Sequence, residues 1–405
     1  MAEEPLRRRL KPLPESPYGT EAVERLKRAA AEQDAVTALD ELLADDALAA
    51  FLAAALGDCP FLLDLAAKDI RRLGRALDAA PEPHSDAIAR QVAAASWADK
   101  AEAMAGLRLA RQELALTVGL ADLAGALDLE GVTRALTRFA DTCLDAALRF
   151  ALADAERQGQ WRGGGPEDCG LAVIAMGKYG AHELNYSSDI DIIAFFDPEA
   201  GGLGEGREPS VFWVRIVRQL VTLLQERTAD GFVFRVDLRL RPDPGATAVA
   251  ISIPAALLYY ESMGQNWERA ALIKARAAAG DRAAGKRFLA EIVPFIWRKY
   301  LDFAAIADIH SIKRQVHAHR GHGTIRVAGH DIKRGRGGIR EVEMFAQTQQ
   351  LIAGGRDPEL RGRGTRETLA MLERRSWIGA EARAVMDEAY VWLRTLEHRL
   401  QMVRD

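Results

Sequence analysis

The pattern of hydrophobic and polar residues in the middle of the chain predicts two strands joined by a turn. Residues 171–175 form an unbroken apolar run that leads to Gly177. After the turn, Ile190, Ile192 and Ile193 are interspersed with aspartates ahead of two phenylalanines. Short apolar runs bounded by glycine are typical of buried strands.

A helix and a further strand are predicted downstream. Residues 210–230 place apolar side chains at helical spacing, and Gly231 is positioned to end that helix. From 232 to 241 the alternation is strict, which predicts a strand that Pro242 ends. Its polar face is predicted to carry Arg235, Asp237, Arg239 and Arg241. A solvated edge strand with alternating charge would show the same pattern.

Long helical regions are predicted on both sides of this segment. Residues 1 to about 155 are rich in Ala, Leu, Glu and Arg, which favours a helical bundle. The helical pattern returns after about residue 250 and is clearest over 381–403. The predicted fold is therefore α+β and mostly helical. We expect an amino-terminal helical domain over 1–160, a catalytic core over 161–250 and a carboxy-terminal helical domain over 251–405.

Composition narrows the class of protein. The chain has 405 residues, of which 49% are hydrophobic, and a net charge of −4, which argues against broad binding to nucleic acid. We find neither a basic leader followed by an apolar core nor an unbroken apolar run of the ~20 residues that a membrane span needs. The three cysteines are widely separated, which favours reduced, buried thiols. These features predict a cytoplasmic enzyme that binds neither membrane nor nucleic acid.

Two aspartates at the start of the second predicted strand are the strongest candidates for chemistry. Asp189 and Asp191 are two residues apart, so a strand places both on one face. Close carboxylates repel each other unless a cation lies between them, and oxygen ligands of this kind favour Mg²⁺. Asp237 is the expected third carboxylate. The spacing therefore predicts a metal site made of Asp189, Asp191 and Asp237, which are also the predicted catalytic residues.

Several nearby residues are candidates for binding phosphate or nucleotide. The turn at Gly177 can bring backbone N–H groups against a phosphate, and arginines bind phosphate oxygens in a bidentate fork. Ending a loop is the alternative role for the two serines of this set, and a surface salt-bridge network is the alternative for the basic residues. The predicted phosphate-binding set is Gly177, Lys178, Ser187, Ser188, Arg239 and Arg241, with Lys274 and Arg276 as weaker members.

Five sequence segments carry a resemblance to a known family. They read GKYGAHELNYSSDIDII from Gly177, RVDLRLRP from Arg235, ESMGQNWERAALIKARAAAGD from Glu261, GRGGIREVEMFAQTQQ from Gly335 and YVWLRTLEHRLQMVRD from Tyr390. In these segments the chain resembles the bacterial bifunctional glutamine synthetase adenylyltransferase/adenylyl-removing enzymes. Each half of those proteins carries a polymerase-beta-like nucleotidyltransferase domain, so the resemblance implies such a core here.

The resemblance also implies an activity. The segments WERAALIKAR and GGIREVE are similar to the amino-terminal, adenylyl-removing half of the family. That half uses inorganic phosphate to remove AMP from a glutamine synthetase tyrosine and releases ADP. By the same resemblance, two Mg²⁺ ions would be held by the three aspartates. The implied partners are glutamine synthetase and a PII signalling protein, and the chain is expected to be a fragment of a longer protein.

Alternatives remain open at this point. The chain could instead be an ATP-dependent adenylyltransferase, or a non-catalytic module that docks glutamine synthetase or PII. A polymerase or tRNA nucleotidyltransferase is disfavoured by the acidic net charge. The basic segment 313–340, whose only acid is Asp331, could close over a phosphate, contact the protein substrate or be a solvated loop.

Overall fold

The computed structural model describes residues 3–299 and 329–403. The amino-terminal region is helical up to Arg157, as the sequence predicts. Asp45, Asp69, Asp99 and Asp128 each cap a helix by accepting backbone N–H groups of its first turn, which explains where four of these helices begin. The helices are α1 (Gly19–Glu32), α2 (Val36–Leu43), α3 (Asp46–Asp58), α4 (Pro60–Lys68), α5 (Ile70–Asp78), α6 (Pro81–Ala94), α7 (Lys100–Leu123) and α8 (Leu129–Arg157).

A small mixed sheet follows this helical region. The order of its main strands is β3, β2, β1, β5, and β4 pairs with β2 on the same edge as β3. β1 runs antiparallel to β2 and β5, whereas β2 runs parallel to β3 and β4. The strands are β1 (Leu171–Ala175), β2 (Ile190–Phe196), β3 (Val236–Asp237), β4 (Ala250–Ser252) and β5 (Arg276–Gly280). A single-turn helix, α9 (Gly177–Gly180), links β1 to the loop before β2, and α10 (Pro209–Gln225) connects β2 to β3.

Helices return after the sheet, in agreement with the sequence pattern. The last of them extends over Ala380–Val403, within one residue of the prediction. The helices of this region are α11 (Ile253–Ser262), α12 (Asn266–Leu272), α13 (Arg282–Glu291), α14 (Val293–Ile296), α15 (Ile339–Ala353), α16 (Thr365–Arg374) and α17 (Ala380–Val403).

The sheet is buried on both faces, which explains the unbroken apolar run of β1. Leu171 and Val173 belong to a core that continues into helices α1–α8. Ala172 and Ile174 belong to a second core, formed largely with α11–α14. Successive side chains of a strand point to opposite faces, so a strand covered on both sides needs no polar positions. The core is thus continuous from the helical region into one face of the sheet.

The structure corrects one predicted strand. The strand expected over 232–241 is only two residues long, Val236–Asp237. Val233 and Phe234 are both buried, which breaks the alternation, and their backbone N–H groups bond to Leu224 O at the end of α10. After β3 the chain turns, because the Asp237 side chain accepts the Arg239 N–H at 2.8 Å. The helix expected over 210–230 is also shorter and ends at Gln225.

Two further expectations concern the membrane and the cysteines. Within the described ranges, no single helix is long and apolar enough to cross a membrane; the consecutive pair α3 and α4 passes that test only together and is bent by 117°. Cys59, Cys143 and Cys169 are free and buried, as predicted.

Candidate functional site

The three predicted carboxylates lie at neighbouring strand ends. Asp191 and Asp237 are register partners in the parallel pair of β2 and β3. Asp189 precedes β2, whose first residue, Ile190, donates its N–H to Arg235 O at 2.9 Å. The short β3 is therefore enough to bring Asp237 beside Asp191. The structure thus brings the lone aspartate of a separate strand next to the predicted pair.

Gly177 lies against one of these carboxylates. Its φ is +54°, in the left-handed region that disfavours residues with a side chain. A Cβ built at this position would lie 2.8 Å from Asp191 Oδ2. The neighbouring Met176 donates its N–H to Asp191 O at 2.9 Å. Glycine is thus required here both by backbone conformation and by the close approach of Asp191.

Electrostatics single out Asp191 within the trio. Its pKa is raised to about 6, first by burial and then by the negative charges of Asp237 and Asp189. The other two carboxylates have cationic partners: Asp189 pairs with Arg235, and Asp237 pairs with Arg239. Arg239 is the largest cause that lowers the pKa of Asp237. Asp191 is therefore the carboxylate on which burial and the two neighbouring negative charges act together.

The donor set matches a hard cation in its chemistry. Carboxylate oxygens are ligands that Mg²⁺ prefers, and a cation would relieve the crowding at Asp191. In the arrangement seen here, no group of three or more His, Cys, Asp or Glu side chains among the described residues is placed to hold a metal ion. Asp189 and Asp237 are directed to arginines instead, so holding Mg²⁺ requires these two side chains to exchange partners.

The predicted phosphate-binding residues near the carboxylates differ in how free they are. The Ser188 hydroxyl donates to Asn185 Oδ1 at 2.6 Å and so stabilises the loop before β2. Ser187 accepts from Arg235 through its backbone carbonyl at 2.6 Å. Arg241 bonds to the carbonyls of Leu238, Pro244 and Thr247, which fixes the turn after β3. Arg239 has an 83% exposed side chain and can reach a ligand.

Lys178 and Lys274 belong to a buried charge network of three cations and three carboxylates. Lys178 Nζ lies 3.0 Å from Glu397, which also pairs with Arg394 at 3.0 Å. Lys274 Nζ lies 2.9 Å from Glu183 and 3.9 Å from Glu343. Arg394 donates to Glu183 O at 2.7 Å and joins the two halves. We call this the charge network; its members are Lys178, Lys274, Arg394, Glu183, Glu343 and Glu397.

Arg276 also has a structural partner. It forms two hydrogen bonds to the Asp141 carboxylate, at 2.9 and 2.7 Å, and its guanidinium lies 5.0 Å from the centre of the Tyr179 ring. These contacts fasten β5 and α9 to α8. Phosphate binding by Lys178, Lys274 or Arg276 would require breaking ion pairs that the structure contains, and it stays a prediction for all three.

Comparison with known proteins decides the family. Residues 47–291, more than half of the chain, match the family described as glutamate-ammonia ligase adenylyltransferase. The chain belongs to that family. Residues 309–405 match a second family, described as GlnD PII-uridylyltransferase. The resemblance drawn from the sequence motifs is confirmed.

Two curated relatives of this adenylyltransferase-family chain carry the name bifunctional glutamine synthetase adenylyltransferase/adenylyl-removing enzyme. The protein from Xanthobacter autotrophicus is 54% identical over 377 residues, which cover 91% of this chain and 38% of the relative. The protein from Agrobacterium fabrum is 52% identical over 391 residues, 94% of this chain and 39% of the relative. The chain thus spans well under half the length of these relatives.

One basic residue of this family member was missed as a site candidate. Lys333 lies in the loop 329–338, and its charge lowers the pKa of Asp191 against the larger effects of burial and carboxylate crowding. Asp331 shapes the loop by accepting the N–H groups of Lys333 and Arg334 at 3.0 and 2.9 Å. No ion pair to Lys333 is formed within 3–299 and 329–403. Its positive charge is thus close enough to affect Asp191 without being paired to a carboxylate in the described ranges.

The sequence contained a signal for this loop. The segment 313–340 is basic, and closing over a phosphate was one of its predicted roles. Its carboxy-terminal part, including Lys333, is near the carboxylates; residues 313–328 lie outside the described part of the chain. The carboxylates of the charge network had no comparable signal, because the lysines with which they pair are distant in the sequence.

Proposed function

We propose that this chain is the adenylyl-removing unit of a bifunctional enzyme and that it phosphorolyses the AMP–tyrosine bond of glutamine synthetase. An oxygen of inorganic phosphate attacks the AMP phosphorus. The bond from phosphorus to the tyrosine oxygen breaks, the products are ADP and free tyrosine, and the phenolic oxygen regains a proton. The observation that supports this most is the meeting of Asp189, Asp191 and Asp237 beside the Gly177 turn. We further propose that the core is a polymerase-beta-like nucleotidyltransferase fold.

The three aspartates are the residues that would hold Mg²⁺, with two ions as the expected number. When bound, Mg²⁺ neutralises phosphate charge and positions phosphoryl oxygens. The chain's own contribution is to position the carboxylates. The register of β2 and β3 places Asp191 beside Asp237, and Gly177 leaves room for the Asp191 side chain. Catalysis in phosphoryl transfer is mainly positioning and charge stabilisation, so a rigid backbone around Asp191 is useful to it.

Two cations are suited to bind phosphate oxygens at this site. Arg239 is largely exposed and pairs only with Asp237 among the described residues, so it can bind phosphate while that carboxylate turns to a metal. Lys333, in the loop 329–338, comes from a segment far from Arg239 in the sequence, and its charge acts on Asp191. Together they would bind the attacking phosphate or the AMP phosphate.

The direction of the reaction is supported by sequence segments. WERAALIKAR, residues 267–276, and GGIREVE, residues 337–343, are similar to the adenylyl-removing half of the family. The relatives' name contains both activities, and the chain covers 38% of the Xanthobacter protein. The second activity belongs, in this proposal, to the remainder of such proteins.

The proposed partners follow from the same comparisons. Glutamine synthetase is the protein substrate, as the names of the relatives suggest. A PII signalling protein is the proposed regulator, supported by the match of residues 309–405 to a PII-uridylyltransferase family. The proposed location is the cytoplasm, where both partners would be met.

The test is to incubate the chain with adenylylated glutamine synthetase, Mg²⁺ and phosphate, and to measure ADP release. A phosphate-free reaction and an Asp189→Asn variant are the controls. ADP that requires both phosphate and Asp189 would support the proposal. Transfer of AMP from ATP to glutamine synthetase without phosphate would assign the opposite activity, and no turnover in either direction would favour a docking module.

A further inference from the structure

A cavity of about 790 Å³ lies apart from the candidate catalytic carboxylates. Three distant segments build it: the start of α8, the loop after α9 and residues 358–371. Tyr390 and Arg394 of α17 complete the wall. Neither Asp189, Asp191 nor Asp237 lines it. Its volume is within the roughly 300–1,000 Å³ that is typical of small-molecule sites.

Some of the charged residues in the wall are already paired. Arg366 forms ion pairs with Glu130 at 2.6 Å and with Asp387 at 2.7 Å. Glu183 and Arg394 belong to the charge network. These pairs leave little net charge for a ligand to meet.

Three other guanidiniums in the wall have no carboxylate partner within the described ranges. They are Arg134, Arg361 and Arg363. Arg134 is exposed near the start of α8. Arg363 donates its Nε to Ala275 O at 2.8 Å, and Arg361 donates to Gly354 O at 2.7 Å, so each keeps terminal nitrogens beyond these backbone bonds. Two further carboxylates line the cavity: Glu359 pairs with Arg375 at 3.5 Å, and Glu367 accepts the Gly364 N–H as a helix cap.

Two titratable groups of the wall, His182 and Arg363, are repelled by neighbouring positive charges. Burial lowers the pKa of His182, and the charges of Arg276, Arg363 and Arg134 lower it further, against an opposite effect of Asp141. Burial also lowers the pKa of Arg363; the charge of Arg276 adds to that effect, and the charge of Glu367 opposes it. A negatively charged ligand would relieve this repulsion.

We propose that this cavity binds a small organic anion, whose carboxylate or phosphate groups are held by Arg134 and Arg363. Guanidinium forks bind either group in a bidentate manner, and a half-buried site strengthens such contacts. The apolar part of the wall, which includes Leu129 and Met371, accommodates a carbon skeleton that inorganic phosphate lacks. The ligand is therefore distinct from the phosphate consumed in the proposed reaction.

The test is isothermal titration of the chain without Mg²⁺ at constant ionic strength. Citrate is the carboxylate probe and glycerol 3-phosphate is the phosphate probe. The probe with the lower Kd identifies whether the cavity prefers carboxylate or phosphate groups. We expect saturable one-to-one binding. Arg134→Gln and Arg363→Gln should each weaken it about tenfold, which equals about 1.4 kcal/mol.

Arg138→Gln is the matched control. Arg138 lies one turn further along α8, is similarly exposed and pairs with Asp86 outside the cavity, so its loss should change the Kd less than twofold. Arg134 is exposed, and its replacement should leave the fold intact. The proposal would be overturned if neither probe binds saturably, or if Arg134→Gln and Arg138→Gln weaken binding equally. Binding that is lost in Lys333→Met but kept in Arg134→Gln would place the anion at the catalytic carboxylates and also overturn it.

The outcome is independent of the proposed function. The titration measures binding without turnover, so an inactive chain can still bind the probe. Conversely, an active chain whose cavity binds neither probe would retain its proposed activity and lose only this inference.

Discussion

Asp191 is the residue on which the candidate site depends most. It is register partner to Asp237, touches the Gly177 turn and has the raised pKa of a crowded carboxylate. The sequence predicted its importance from two local facts, the spacing to Asp189 and the strand pattern. It could not predict that Arg235, from the segment before β3, would pair with Asp189, because an ion pair between segments depends on register. Nor could it predict the pairing of Arg239 with Asp237, which depends on the turn after β3.

Replacing Asp191 by Asn should abolish turnover and leave the fold intact. Loss of groups that merely support metal ligands costs about 10–100-fold in activity, so loss of a ligand itself should exceed 100-fold. Stability should hold, because the substitution removes one of three carboxylates that repel each other. The measurement is ADP release together with thermal unfolding. Asp197→Asn, just beyond the other end of β2, is the control, and an Asp191→Asn protein with most of its activity would disprove the metal site.

Replacing Gly177 by Ala should reduce turnover through Asp191. The new methyl group meets Asp191 Oδ2 at 2.8 Å, and the left-handed backbone costs roughly 1–2 kcal/mol for a residue with a side chain. Gly159→Ala is matched for backbone strain, since Gly159 has φ of +65° and open space around it. Both variants should lose similar stability in urea unfolding, but only Gly177→Ala should lose activity. Equal activities would show that the close approach is not functional.

At the scale of elements, the loop 329–338 is expected to contribute a cation to the site. Lys333→Met should lower turnover about tenfold or more, because a hydrogen bond to a charged group is worth about 1.5–3 kcal/mol. Arg336→Met, an equally exposed change in the same loop, is the control and should have little effect. Steady-state kinetics with varied phosphate would check this. An unchanged rate in Lys333→Met would exclude the loop from phosphate binding.

Helix α17 is expected to support α9 through Glu397. Burial alone would raise the pKa of this carboxyl, but the charges of Lys178 and Arg394 outweigh burial and lower it from 4.5 to about 2. The resulting stabilisation is present above pH 4.5 and is lost as the pH falls from 4.5 towards 2. Glu397→Gln leaves Lys178 buried without its partner and should cost about 3–5 kcal/mol.

Urea unfolding at several pH values measures this effect. In the parent chain, part of the fall in unfolding free energy between pH 4.5 and 2 comes from protonation of Glu397. The Glu397→Gln variant should not show that part. Glu388→Gln, an exposed change on the same helix, should behave like the parent. Matching acid profiles for all three proteins would show that the ion pair adds nothing to stability.

The elements also show where sequence patterns succeed and fail. β1 was predicted to the residue because both its faces are buried, so apolar character alone defines it. The strand over 232–241 was overestimated because alternation describes side chains, whereas strand length depends on backbone partners. The N–H groups of Val233 and Phe234 bond to α10, and that of Arg239 bonds to the Asp237 side chain. Such competition is invisible in an alternating pattern.

At the scale of the whole molecule, one core unites the amino-terminal helices with one face of the sheet. Cys59, Cys143 and Cys169 are all buried in it, in α3–α4, α8 and the approach to β1. Burial raises the pKa of Cys59 to about 11 and that of Cys169 to about 12, and it raises that of Cys143 as well. Thiols in this state are neutral and unreactive at neutral pH.

The three thiols should therefore become reactive together when the molecule unfolds. In a titration with urea, labelling by a thiol reagent should begin in one transition that coincides with loss of helical circular dichroism. A Cys169 that reacts at lower urea than Cys59 would instead show that the sheet opens separately from the helical region. Single Cys→Ala variants at each position would assign the signals.

The parts that no local pattern could predict are those assembled from distant segments. The cavity combines residues near 130, 182, 363 and 394, and the charge network joins residues 178 and 183 to 397. Each contributing segment is an ordinary polar helix or loop by itself. Only the folded arrangement gives these residues a common role, which is why the sequence suggested phosphate ligands where the structure has Lys178 and Lys274 in ion pairs.

The balance of the charge network limits how this part of the chain can change over evolutionary time. With three buried cations facing three buried carboxylates, any single replacement of a charged by a neutral side chain leaves an unmatched charge, and the intermediate is poorly stable. Viable routes to a different network must alter two positions together or pass through a compensating substitution elsewhere. Lys178 and Glu397, 219 residues apart, should therefore behave as a single inherited unit, and the effect of either mutation should depend strongly on the other.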